Sequence, residues 1–142
     1  MICCETWASR QDPDQPGALA LVLQLKGHPV GPPEGLGLDP GDLWTHEGSR
    51  GQMFLAGRAT LEIFEPGYAE HVDELEVGQP VSGQVRFAFE VPDLRLALTQ
   101  SLEYGAALVA EPKMTPWGDL NARVLSPEGL QITLYQVNTD LD

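Results

Sequence analysis

Val85-Arg86-Phe87-Ala88-Phe89-Glu90-Val91-Pro92-Asp93-Leu94 is the stretch that decides the fold. Val85, Phe87, Phe89 and Val91 alternate with Gln84, Arg86, Ala88 and Glu90, the two-residue period of a strand with one apolar face. Pro92 and Asp93 end the alternation. Leu94, Ala97, Leu98, Ser101 and Leu102 then recur at helical spacing, and Gly105 stands where such a helix would stop. A strand leading into an amphipathic helix is therefore predicted, with Val85, Phe87 and Phe89 on the buried side.

Downstream, Ala106 to Ala110, Asn121 to Leu125 and Leu130 to Val137 read as strands separated by turns rich in proline and glycine. Pro127-Glu128-Gly129 joins the last two as a hairpin. This half is β-α-β-β-β. The upstream half fits the same template, with Met1 to Ala8 as first strand and Leu19 to Leu25 as a helical run ending at Gly27, the counterpart of Gly105. Val30 opens the next strand and a loop runs to about Asp42. Gln52 to Leu55 then pairs with Arg58 to Phe64 across Ala56-Gly57. Thr60 to Phe64 corresponds to Gln131 to Tyr135, giving an internal repeat of about 70 residues, too long a period for a solenoid. The predicted organisation is a first module over 1–66, an acidic linker over 67–83 bearing Gly78, Pro80 and Gly83, and a second module over 84–142.

The run Phe87 to Leu94, the helix end Tyr104-Gly105-Ala106, then Glu111-Pro112, Thr115-Pro116-Trp117-Gly118 and Ser126-Pro127-Glu128-Gly129 together resemble the second module of vicinal-oxygen-chelate proteins. These form the superfamily of glyoxalases, bleomycin-resistance proteins and extradiol dioxygenases. Gly57 to Pro66 is similar to the end of that family's first module, and residues 1 to 56 match weakly. The resemblance implies an α+β fold of two βαβββ modules, with curved antiparallel sheets, helices on the convex faces and a cavity between modules. Leu61, Ile63, Ile132 and Leu134 would face the helices. Thr60, Glu62 and Phe64, like Gln131, Thr133 and Tyr135, would face the cavity.

Metal-dependent members of the family hold a divalent ion on His and Glu from the first and last strands of each module. Glu62 matches one such carboxylate, but its counterpart is Thr133 and the second-module histidine position falls on Arg86. A guanidinium offers only donors and cannot be a ligand. Glu5 is the nearest first-strand candidate. The resemblance, read through these departures, implies a small-molecule-binding protein without catalytic metal or other cofactor, in which Arg86 replaces the ion and pairs with Glu62. The alternative is a lyase, isomerase or dioxygenase using Glu62 and Glu5 as ligands of a divalent metal ion, or Glu62 as a metal-free base. Enzymatic activity is left open.

Trp117, between Pro116 and Gly118, is the candidate for stacking on an apolar or aromatic ligand. Trp44, Phe54, Phe64, Met114 and Tyr135 are candidates for further pocket wall, with ordinary core as the competing reading. His28, His46 and His71 fall in predicted loops without metal-ligand spacing, and no basic neighbour activates Cys3 or Cys4.

A net charge of −13 repels phosphate backbones and anionic lipid, which argues against nucleic-acid and membrane partners. Adjacent cysteines do not reach disulfide geometry, and neither a secretory leader nor an apolar run of about 18 residues is present. The expectation is a cytoplasmic protein. By resemblance it is a homodimer.

Overall fold

In the computed structural model the described residues are 19–24, 37–57, 59–81, 83 and 85–138. Expectations for Met1 to Ala8, including Glu5, Cys3 and Cys4, and for Gly27, His28 and Val30, lie outside them.

The second half takes the predicted form: β5 (Val85–Glu90), α2 (Leu94–Glu103), β6 (Ala107–Met114), β7 (Asp119–Leu125) and β8 (Gln131–Val137). Asp93 caps α2, its side chain accepting from Leu96 N–H at 2.9 Å. At the other end Gly105 has φ +99°; its N–H donates to Leu102 O while Ala106 N–H donates to Ser101 O. This double closure satisfies carbonyls that the last turn leaves open. Leu94 and Leu98 then pack on Ala122, Val124 and Leu134, with Ile132 alongside, each buried leucine contributing roughly 1.5–3 kcal/mol.

The first half departs from expectation at its start. Leu19–Gln24, predicted as a helix, is strand β1, parallel to β4 (Ala59–Phe64) and antiparallel to β5. A strand between two others reads as a continuous apolar run, and periodicity alone does not separate that from a helix. The stretch read as loop up to Asp42 contributes to β2 (Asp39–His46), which turns into β3 (Ser49–Ala56) through Glu47 and Gly48. Both turn residues have positive φ, as a tight two-residue hairpin requires. The predicted β3–β4 hairpin forms across Gly57.

The strands make one sheet in the order β2-β3-β4-β1-β5-β8-β7-β6. Each half repeats the same internal order, first strand beside its last, and the halves join through β1 and β5. Register fixes the faces. Met53, Glu62, Val22, Arg86 and Gln131 lie in one cross-sheet row, and residues two apart along a strand share its side. Arg86, Thr133 and Arg123 thus lie opposite the side that α2 covers with Ala122, Val124 and Leu134.

The segment predicted as a linker contains helix α1 (Pro66–Glu76). Pro66 occupies the first turn, where its missing N–H costs nothing. Tyr68, Ala69 and Val72 pack with Trp44, Met53 and Phe64, so α1 lies on the side of the sheet opposite α2. Gly51 lets it seat: a Cβ there would come within 2.8 Å of the Tyr68 ring and 2.9 Å of the Phe64 ring. The buried stripe continues through Asp73 and Glu76, two carboxylates where apolar residues would signal a helix, which is why the pattern reads as a solvated connection.

Burial on β5 is also reversed. Arg86 and Ala88 are buried, whereas Val85 and Phe89 are exposed. The polar-looking side of the strand is the inner one because partners from α1 and the other strands meet it there.

Candidate functional site

At the join between halves, ionisable side chains converge on the α1 side of the sheet. Glu62 comes from β4, Arg86 from β5, Arg123 from β7, and Asp73 and Glu76 from α1; all five are buried. Arg123 Nη1 donates to Asp73 Oδ1 at 2.6 Å and its Nη2 donates to Glu76 Oε2. Arg86 Nη1 donates to Glu76 Oε2 at 3.3 Å and to Thr133 Oγ1. Asn121 Nδ2 donates to Glu76 Oε1 at 3.3 Å. Asp73 Oδ2 accepts from Val81 N–H at 2.9 Å, tying the chain beyond α1 to the cluster.

The expected pair of Arg86 with Glu62 does not form among the described residues; the guanidinium pairs with Glu76 instead. A helix unforeseen in the sequence brings that partner. Two guanidinium groups are then matched by the carboxylates of Asp73 and Glu76, leaving Glu62 as a third, surplus acid. Burial pushes its carboxyl up from 4.5 to about 7; Arg86 nearby draws it down, while Glu76 and Asp42 push it further up. Desolvation thus outweighs the neighbouring cation. Burial likewise works against the charge on Arg86, and Glu76 supports it. Arg86 Nε is buried with no hydrogen-bond partner among the described residues.

The expected site residues separate into three places. Glu62, Arg86 and Thr133 meet at the centre. Trp44 and Phe64 belong to the aromatic core beneath α1, where Tyr68 lies 13° from the Trp44 plane and 72° from that of Phe64. Phe54 is buried too, but it registers with Leu61 on the other side of the sheet. Tyr135 packs with Ala88 and Val137, and Met114 is 49% exposed on edge strand β6. Trp117 sits in a turn closed by Gly118 N–H to Thr115 O and by Thr115 N–H to Asp119 O, its indole N–H buried with no partner among the described residues. Asp119 registers with Val137, six residues along β8 from the Arg86 partner Gln131. At about 3.3 Å per residue that is roughly 20 Å, so the Trp117 turn and Glu62 are not one constellation.

Near that end Glu90 is held above the usual carboxylate range by burial and by Asp119. Midway along α1, His71 stacks on His46 with ring centroids 3.5 Å apart. His71 lies on α1 rather than in a loop; burial and His46 hold it below the ordinary histidine range.

The sequence reading missed Asp73, Glu76, Asn121 and Arg123. Asn121 and Arg123 alternate with Ala122 and Val124, a pattern that is read as a solvated strand face. The usable signal was the i, i+3 spacing of Asp73 and Glu76 behind Tyr68, Ala69 and Val72.

The four strand positions that a divalent ion would require can now be tested on their chemistry. Three of them are Glu62, Arg86 and Thr133, one carboxylate, a guanidinium and a hydroxyl. These three do not fit a divalent ion, which needs several anionic or imidazole donors. Among the described residues no group of three or more His, Cys, Asp or Glu is placed to hold a metal ion.

No protein-family model matches the chain, and no curated protein matches it. Solved structures do. A hypothetical protein from Bacillus halodurans superposes with TM-score 0.55 at 14% identity, over 90% of this chain and 97% of that one. A glyoxalase/bleomycin resistance protein/dioxygenase superfamily member from Vibrio splendidus gives TM-score 0.54 at 15% identity, over 83% and 97%. An NAD-dependent benzaldehyde dehydrogenase from Legionella pneumophila gives 0.51 at 8%, over 84% and 99%. The chain shares its fold with these structures, one of which is a member of the glyoxalase/bleomycin resistance/dioxygenase superfamily. Identities this low carry the fold and no more, and fold alone does not set function. Among the described residues no helix is long and apolar enough to cross a membrane.

Proposed function

We propose that this protein binds a small molecule on the α1 side of the sheet, at the join of its halves, without a catalytic metal. The observation that carries the reading is Glu62: a buried carboxyl at the central strands, beside Arg86 but not paired with it, and held near neutrality. A surplus buried acid costs stability, and groups perturbed in this way concentrate at working sites. Its surroundings supply both parts of a recognition surface. Met53 and Phe64 offer apolar wall, while Arg86, Thr133 and Asn121 offer polar contacts. The ligand is accordingly a compact molecule with an apolar or aromatic body and one polar end.

A thermal-shift screen of aromatic compounds on the whole chain tests this. Compounds that raise the melting temperature of the wild type are expected to lose that effect in Glu62→Gln and keep it in Trp117→Ala. Loss in Trp117→Ala with retention in Glu62→Gln would move the site to the Trp117 turn and overturn the assignment. We also infer a homodimer from the fold resemblance, which light scattering on the purified chain checks.

A second reading is favoured by the same carboxyl. A general base works best with a pKa near the operating pH, and about 7 meets that condition for Glu62. Here Glu62 would take a proton from a bound substrate while Arg86 steadies the negative charge left behind. A bell- or step-shaped rate profile with a limb near pH 7, abolished in Glu62→Gln while the variant stays folded, distinguishes catalysis from binding alone.

A further inference from the structure

α1 is held in two different ways. Its first two turns rest on apolar contacts, Tyr68, Ala69 and Val72 against Trp44, Met53 and Phe64. Its end is held by charge, through Asp73 and Glu76 on Arg123, Arg86 and Asn121. The backbone closes there, Val77 and Gly78 N–H donating to Asp73 O, but the charges oppose the helix. Asp73, Glu74 and Glu76 lie toward the negative pole of the helix dipole, and no basic residue occupies the last turn. Gly78, at φ +89°, and Pro80 follow at once, and beyond them the bond from Val81 N–H to Asp73 Oδ2 is one that movement of this turn would also release.

The groups receiving Glu76 are those that bind a carboxylate in a ligand site. Two guanidinium groups, 4% and 0% exposed, and an amide hold Glu76 from β5 and β7, and the Thr133 hydroxyl on β8 accepts from Arg86. Among the described residues nothing accepts the buried N–H at Arg86 Nε. Removal of Glu76 would take from Arg86 and Arg123 the carboxylate they share, leaving Arg86 beside Glu62 inside a chain whose net charge is −13. An anion of the same kind would then be favoured at this spot.

We propose that the last turn of α1 is an internal occupant of a carboxylate site, and that the ligand is a carboxylate-bearing small molecule which enters by displacing Glu76 from Arg86 and Arg123. This rests on the reading that the ligand sits on the α1 side of the sheet. It adds the chemical class of the ligand and the movement that admits it.

The test compares benzoate, its neutral analogue benzamide, and inorganic phosphate on the full chain. Calorimetric affinity is measured together with amide hydrogen exchange over residues 71–78. Benzoate is expected to bind the wild type while speeding exchange in the last turn of α1, and benzamide to do neither. Glu76→Gln weakens the internal occupant, so benzoate should bind it roughly tenfold more tightly, whereas the exposed Glu74→Gln should leave affinity unchanged. The exchange measurement on the wild type stands even if Glu76→Gln fails to fold. Phosphate binding without benzoate binding would overturn the carboxylate class. Benzoate binding with α1 exchange unchanged would overturn the displacement, as would binding only to Glu76→Ala, where the anion merely fills a void. If benzoate and benzamide bind equally and both are lost in Glu62→Gln, the site on this face stands and the internal-occupant proposal fails. No binding by any of the three, in wild type or Glu76→Gln, overturns it as well.

Discussion

The two helices seat on opposite sides of one sheet, and they do so by different chemistry. α2 presses Leu94 and Leu98 onto Ala122, Val124 and Leu134, an aliphatic contact with a capped start and a closed end. α1 begins on Glu65, whose carboxylate makes no cap but accepts from Arg50 instead, and ends on buried ion pairs. The first arrangement is indifferent to pH and tolerant of its surroundings. The second depends on every partner being present, because a buried charge is tolerable only while it is matched. Structure that merely holds a fold together looks like α2. Structure that can respond to a proton or an anion looks like α1.

The contrast can be broken most forcefully at Arg123, which is fully buried and serves both α1 carboxylates. Arg123→Met removes the ion pair from Asp73 and one of the two from Glu76, and is expected to cost about 3–5 kcal/mol in urea unfolding. The quadruple change Arg86→Met, Arg123→Met, Asp73→Leu, Glu76→Leu should recover most of that loss, since an apolar replacement of a whole buried cluster is often neutral or stabilising. A quadruple variant no more stable than the single one would mean that the ion pairs are not what holds the end of α1. On the other side of the sheet, Leu98→Ala is expected to cost about 2–4 kcal/mol, with the same value at pH 5 and pH 8.

A pH series sharpens the difference. Glu62 goes from 4.5 in the unfolded chain to about 7 in the folded one, so the folded state binds the proton more tightly between those values. Stability therefore falls as pH rises from about 4.5 to 7, by up to ~3 kcal/mol for a shift of this size. Glu90, also held up, adds slope of the same sign, and His71, held down, adds the opposite sign just below its ordinary range. Glu62→Gln should remove the Glu62 part of this slope and be more stable than wild type at pH 8. Smallest of all is the cap on α2: Asp93→Ala removes the bond to Leu96 N–H and is expected to cost about 1 kcal/mol in the same unfolding experiment.

The two regions also differ in how readily they could be read from sequence. The second half was legible nearly throughout because local signals agree with the tertiary answer. Asp93 and Gly105 bracket α2, Leu94 and Leu98 lie on one stripe, and Pro127 to Gly129 marks the hairpin. Leu19–Gln24 reads as a helix because its apolar run, Leu19 to Leu23, reflects a central place in the sheet rather than a period. α1 was missed because half of its buried stripe is acidic. The candidate site was half legible. Glu62, Arg86 and Thr133 fall at positions the family resemblance marks, but Asp73, Glu76, Asn121 and Arg123 look like surface residues until the helix that covers them is known. A buried polar residue differs from an exposed one only through its partners, and those lie up to 50 residues away in the chain.

The central claim is that the halves of the molecule share one buried charge cluster in which Glu62 is the unmatched acid. Carboxyl carbon NMR of the glutamate side chains across pH 4 to 9, with Glu62→Gln to assign the signal, tests it most directly. A carboxyl titrating near pH 7 that vanishes in Glu62→Gln is the expected result. A Glu62 signal titrating in the ordinary range around 4.5 would show the group to be solvated or matched, and would contradict the account.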